Sequence, residues 1–152
     1  MSATEIHATN RSPAVPTMWV GTLLTLGVLV FVAVDQTSLG GIADHVQEHY
    51  APHGTVPDPG TLYMYLYATG VLGLVTWLAM IPPVRSGRSW APVVATLILV
   101  TALCGGVFNL VISEYGGPVL PPMWAVLTLV PCLVGMAAVG LLWRDRAVAG
   151  QR

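Results

Sequence analysis

Four apolar runs without a single Asp, Glu, Lys or Arg constrain this chain more than any other feature: 17–34, 62–81, 90–112 and 120–143. A helix rising ~1.5 Å per residue needs roughly 20 residues to cross ~30 Å of hydrocarbon, and each run has about that length. One such run fits a buried helix of a water-soluble protein; four in succession do not. Composition agrees: 55% of residues are hydrophobic and 9% charged, where soluble domains carry about a quarter charged. The chain is expected to be an all-α membrane protein, an antiparallel four-transmembrane-helix bundle. Residues 1–16 read as a flexible tail, 17–143 as the transmembrane domain and 144–152 as a second tail. Arg11 precedes the first run as in a signal peptide, but no small-residue cleavage site follows it, so the run is read as a retained span.

Charge gives an orientation. The six basic residues are all arginine: Arg11, Arg85, Arg88, Arg144, Arg146 and Arg152. With four spans they share one side, which the positive-inside rule makes cytoplasmic. The protein is therefore expected in the cytoplasmic membrane with both termini inside. Asp35, Asp44, Glu48, Asp58 and Glu114 fall on the other side. Tyr50, Tyr63, Tyr65, Tyr67 and Tyr115 lie near that outer face, and Trp19, Trp77, Trp90 and Trp143 near the inner one, as ring side chains favour the headgroup level. A net charge of −1 leaves no footprint for nucleic acid.

The connections differ in size. "PPVRSGRS" and "SEYGGPV" are tight, so spans two and three, and three and four, are expected to be antiparallel neighbours. The connection 35–61 is longer. Its second half, "APHGTVPDPG", is too rich in Pro and Gly for helix. Its first half has no breaker after Gly41, and Ile42, Val46 and Tyr50 recur at i, i+4 and i+8, the stripe of a short amphipathic helix.

That segment also holds the candidate chemistry. His45 and His49 lie one helical turn apart, with Asp44 and Glu48 beside them and His53 beyond. Three roles fit. The polar residues solvate an outer helix; or His45 and His49, completed by Glu48, His53 or Asp44, hold a divalent metal at the outer face; or the imidazoles act as a proton sensor, since histidine changes charge in mildly acidic surroundings. "HVQEH" matches the letters of an inverted zinc-protease motif, but that motif needs a long helix and a distant third ligand.

Inside the spans no ionisable side chain other than thiols and tyrosines appears, so a proton or ion relay has no visible members. Asn109 is the most polar candidate and is expected to bond to a neighbouring helix. The span threonines can bond their own helix carbonyls. Cys104 and Cys132 lie at similar depth, outside any CxxC, and read as small packing residues. Gly70, Gly73, Gly105 and Gly106 are the candidate close-packing positions. Pro131 is expected to kink span four.

The stretches "DQTSLGGIADHV", "ATGVLGLVTWL" and "LPPMWAVLTLVPCLVGMAAVGLLW" resemble a set of small four-span membrane proteins of actinobacteria, in which an Asp-Gln-x-Ser-Leu exit from span one and a Leu-Pro-Pro entry to span four recur. The resemblance covers most of the chain after Thr17 and implies topology and source, with no activity, cofactor or site attached. The leading expectation is a non-enzymatic structural or accessory protein whose partners are the lipid bilayer and a second copy or another membrane protein. The rivals are the outer-face metal or proton sensor and an oligomeric channel or small-molecule carrier.

Overall fold

The computed structural model describes residues 12–151; expectations that rest on 1–11 or on Arg152 lie outside them. The elements are helix α1 (Ala14–Val34), which continues through a wide π-helical turn (Asp35–Leu39), helix α2 (Gly41–Tyr50), helix α3 (Gly60–Arg85), helix α4 (Ala91–Val111), hairpin strands β1 (Ser113–Glu114) and β2 (Gly117–Pro118), and helix α5 (Pro122–Ala149). Four helices, α1 with its continuation, α3, α4 and α5, are long and apolar enough to cross a membrane. The molecule is an all-α, multi-pass membrane bundle. Its flanks carry Leu23, Leu72, Leu97 and Leu133 at 60–67% exposure. Apolar surface on that scale is unstable against water and suits contact with lipid chains.

Several span ends reach beyond the apolar runs, both ends of α3 among them. Helix α1 starts at Ala14, inside the expected tail, because Pro13 and Pro16 fall in its first turn, where N–H groups have no intrahelical partner to lose. Helix α5 runs past Trp143 to Ala149; Arg144 to Ala149 contain no breaker, and Arg146 lies over the Trp143 ring at 5.4 Å. It also passes through Pro131 as one helix.

The packing order corrects one expectation. Helix α1 packs along both α3 and α5, and α4 along α5, while α3 and α4 touch at few places despite the tight turn joining them. A short turn ties two helix ends; contact along the axes is decided by which faces fit. The close-fitting small residues lie on the other seams. A Cβ at Gly21 would stand 2.5 Å from the Trp77 ring of α3, and one at Gly70 would stand 2.5 Å from Leu29 of α1. A Cβ at Gly106 would run into Leu129 of α5. In lipid, where no hydrophobic force draws helices together, such approaches carry much of the packing. Gly73 makes only an ordinary contact with Thr25, at 3.6 Å, and Gly105 has nothing within 4 Å. Gly105 is therefore not a packing glycine.

The core divides between the two ends. Met18, Met80, Ile81, Val84, Ala138 and Leu142 fill the end where α1 begins and α5 finishes. Arg85, Arg88, Arg144 and Arg146 belong to that same end by topology. Val32, Ile42, Tyr63, Leu66, Leu120 and Trp124 fill the opposite end, which α2 and the hairpin cap. Between the two clusters the separation of α3 from α4 leaves a slot of about 610 Å³.

Candidate functional site

The capped end is assembled around Asp35. This side chain is 2% exposed. Its Oδ1 accepts from the Gly41 N–H at 3.0 Å, and its Oδ2 accepts from the Ile42 N–H at 3.1 Å and the Tyr63 hydroxyl at 2.8 Å. The first N–H groups of a helix lack partners, and a carboxylate there also meets the positive end of the helix dipole. Asp35 thus caps α2 from six positions upstream. The glycine pair makes this geometry accessible. Gly40 takes a left-handed φ of 69°, which closes the π turn through its N–H to the Asp35 carbonyl. A Cβ at Gly41 would stand 2.9 Å from Asp35 Oδ1.

Helix α2 then lies on the bundle with Ile42, Val46 and Tyr50 buried. The histidines occupy the flank that faces the hairpin. His45 Nε2 is 2.9 Å from the Pro118 carbonyl and His49 Nε2 is 2.8 Å from the Glu114 carbonyl. A carbonyl only accepts, so each imidazole donates from Nε2. His53 donates from Nδ1 to the His49 carbonyl at 3.1 Å. The His45 and His49 rings stack with centroids 5.8 Å apart. The absence of a side chain at Gly117 lets the His49 ring sit against the second strand; a Cβ there would run into it.

This arrangement bears on the metal reading. A metal needs imidazole lone pairs; with Nε2 of His45 and His49 engaged as donors, only their Nδ1 atoms keep one. Glu48 is exposed, and His53 Nδ1 is bonded to backbone. Among the described residues no three His, Cys, Asp or Glu side chains gather as a metal-holding group. The set His45, Glu48, His49 and His53 is therefore not brought together as ligands.

The hairpin turn is strained and braced. Tyr115 and Gly116 both have positive φ, 51° and 85°, the signature of a two-residue turn that matches strand twist. A left-handed non-glycine costs roughly 1–2 kcal/mol. The Tyr115 ring stacks on His53 at 4.4 Å and meets the edge of Tyr50 at 6.0 Å. The Tyr50 hydroxyl donates to Glu114 Oε2 at 2.7 Å. Burial, followed by that bond and the Glu114 charge, pushes the Tyr50 pKa up to about 12.

Within the spans, Asn109 of α4 accepts at Oδ1 from the Tyr65 hydroxyl at 2.7 Å. Tyr67 donates to Gln36 at 3.0 Å. At 100° per residue, Tyr63 and Tyr67 share one face of α3, toward the end of α1, while Tyr65 points the other way, toward α4. Trp77 donates to Thr25 at 3.1 Å and Trp143 to Thr96 at 3.0 Å, tying α3 to α1 and α5 to α4. Both cysteines are free thiols; Cys132 is buried and Cys104 exposed.

From sequence alone Asp35 reads as one more outer acid and Tyr63 as part of the aromatic belt. The usable signal was an acid at a span end followed by Gly-Gly at a helix start, with a tyrosine entering the next span. Fold and site together define a capped helical membrane bundle. Comparison with protein-family models, curated proteins and solved structures finds no match.

Proposed function

We propose that the chain is a non-enzymatic integral protein of the cytoplasmic membrane, with both termini inside, that presents a rigid cap on the outer side to a membrane-protein partner or a second copy. The observation that carries this reading is the fastening of the cap. Asp35 holds the start of α2 to the end of α1, and His45, His49 and Tyr50 each use one polar atom to hold α2 to the hairpin. Asp44, Gln47, Glu48 and Asp58 are left exposed on it. A surface held in one geometry loses little entropy on binding, which favours recognition. The concentration of Arg85, Arg88, Arg144 and Arg146 at the opposite end supports the orientation.

The test is a photo-crosslinking residue placed at Gln47 in native membranes, with mass measured in nanodiscs. A discrete protein adduct, of a second copy or a partner, that weakens at least fivefold in Asp44→Asn/Glu48→Gln/Asp58→Asn supports the reading. A monomer with no discrete adduct overturns it. A carboxy-terminal tag reachable from outside intact cells would overturn the orientation.

A further inference from the structure

The slot between α3 and α4 has a shape, a depth and one polar group that together describe an occupant. Its floor is α1 and α5 and its walls are α3 and α4, from Tyr65 to Met80 on the first and from Asn109 to Ala95 on the second. At ~1.5 Å per residue, that is a trough roughly 21 Å long. Its volume, about 610 Å³, falls within the ~300–1,000 Å³ of small-molecule sites. Because α3 and α4 barely touch, it opens sideways between two spans, where the surroundings are hydrocarbon. The two core clusters close it at either end.

The lining is nearly all apolar. Thr69, Thr76, Thr101 and Thr128 bond carbonyls of their own helices, and Thr25 accepts from Trp77. One group is unspent. Asn109 is 8% exposed and lines the slot. Its Oδ1 takes the Tyr65 hydroxyl, and among the described residues its Nδ2 has no partner. Tyr65 supplies a single hydroxyl, so one polar atom of the amide stays free whichever way the amide is turned. No buried side-chain nitrogen or oxygen among the described residues lacks a partner, so Nδ2 is not enclosed by protein and faces the open slot. Asn109 stands two residues before the end of α4 at Val111; a helix of 21 residues about matches the ~30 Å of bilayer hydrocarbon, which puts its end near the ester carbonyls. A free N–H donor at ester depth, above a long apolar trough open to the membrane, matches an acyl ester with its chain running down the trough.

We propose that the slot is a binding site for one acyl chain of a membrane glycerophospholipid, its ester carbonyl accepting from Asn109 Nδ2. The trough is longer than the ~15 Å of one leaflet's hydrocarbon, so the chain is held straighter than in free lipid. Lipid fills the gap that the α3–α4 separation leaves, and it replaces the helix contact missing there.

The test uses the full chain in nanodiscs doped with a phosphatidylcholine that carries a diazirine midway along one acyl chain. Labelling is mapped by mass spectrometry. The expected result is labelling of Leu72, Leu97 and Thr101 at least fivefold above Leu23 and Leu133, which are comparably exposed outside the slot. Gly105→Phe projects a ring into space that is empty within 4 Å and is expected to remove that excess. Asn109→Leu is expected to reduce it severalfold, and Gly27→Phe, equally open but away from the slot, to leave it unchanged. Each variant is first shown to elute as the parent does. Equal labelling inside and outside the slot, excess that persists in Gly105→Phe, or displacement of the probe by an equimolar prenylquinone would each overturn the assignment.

Discussion

Replacing Asp35 by Ala tests the origin of the cap most directly. Three donors would lose their acceptor at once: the N–H groups of Gly41 and Ile42 and the Tyr63 hydroxyl. Loss of a helix cap costs ~0.5–2 kcal/mol. A buried hydroxyl left alone costs a further ~1–3 kcal/mol. The expected destabilisation of the cap is about 3 kcal/mol, which at ~1.4 kcal/mol per decade is roughly a hundredfold rise in its open population. Amide exchange across 43–50 in nanodiscs reads that population directly. Asp35→Asn keeps one oxygen, opposes an N–H₂ to one N–H, and should fall between the two. Tyr63→Phe closes a cycle: alone it loses a bond, but on the Asp35→Ala background it removes the orphaned hydroxyl and should be neutral or favourable. If Asp35→Ala changes α2 exchange by less than about twofold, or if Tyr63→Phe costs the same on both backgrounds, the cap is held by something other than this carboxylate.

Gly106→Ala pushes a methyl group into Leu129 and should lower stability in detergent by ~1–3 kcal/mol, whereas Gly105→Ala, one residue away and open, should change the denaturation midpoint little. His45→Ala and His49→Ala each remove one bond to the hairpin, worth ~0.5–1.5 kcal/mol, and should speed amide exchange at 113–119. A zinc-dependent rise in melting temperature that these variants abolish would instead favour the metal reading. Tyr50 is raised from its ordinary 10.0 to about 12; its protonated form is the one favoured by folding. Its contribution is therefore complete below pH 10 and is lost as pH rises through about 12. The hairpin should loosen over that range, and Tyr50→Phe should flatten the dependence.

The spans were legible because hydrocarbon imposes a length and excludes charge, and both constraints are written along the chain. The Ile42, Val46, Tyr50 stripe was legible for a similar reason, since a one-turn repeat needs no partner to be recognised. The α3–α4 separation was not. Nothing in a turn of five residues states which faces of the two helices fit together, and the answer lies in Trp77 over Gly21 and Leu129 over Gly106, pairs distant in sequence. Asp35 was hidden because a cap normally sits next to the helix it serves, and here a π turn carries it back from six residues away. The histidines were legible as a cluster but not as fasteners, because their partners are carbonyls, which every residue has.

The bonds that fasten the histidines span 73 and 65 residues. When α2 leaves the ribosome, the strands and the Leu120–Trp124 floor on which it will rest have not been made. At ~5–20 residues per second, the segment waits roughly 4–15 s before its seat is synthesised. Asp35 and the glycine pair are already in place by then, so the helix can start on its own cap while it has nothing to lie on. The last span to enter the bilayer is the one that brings the lid down.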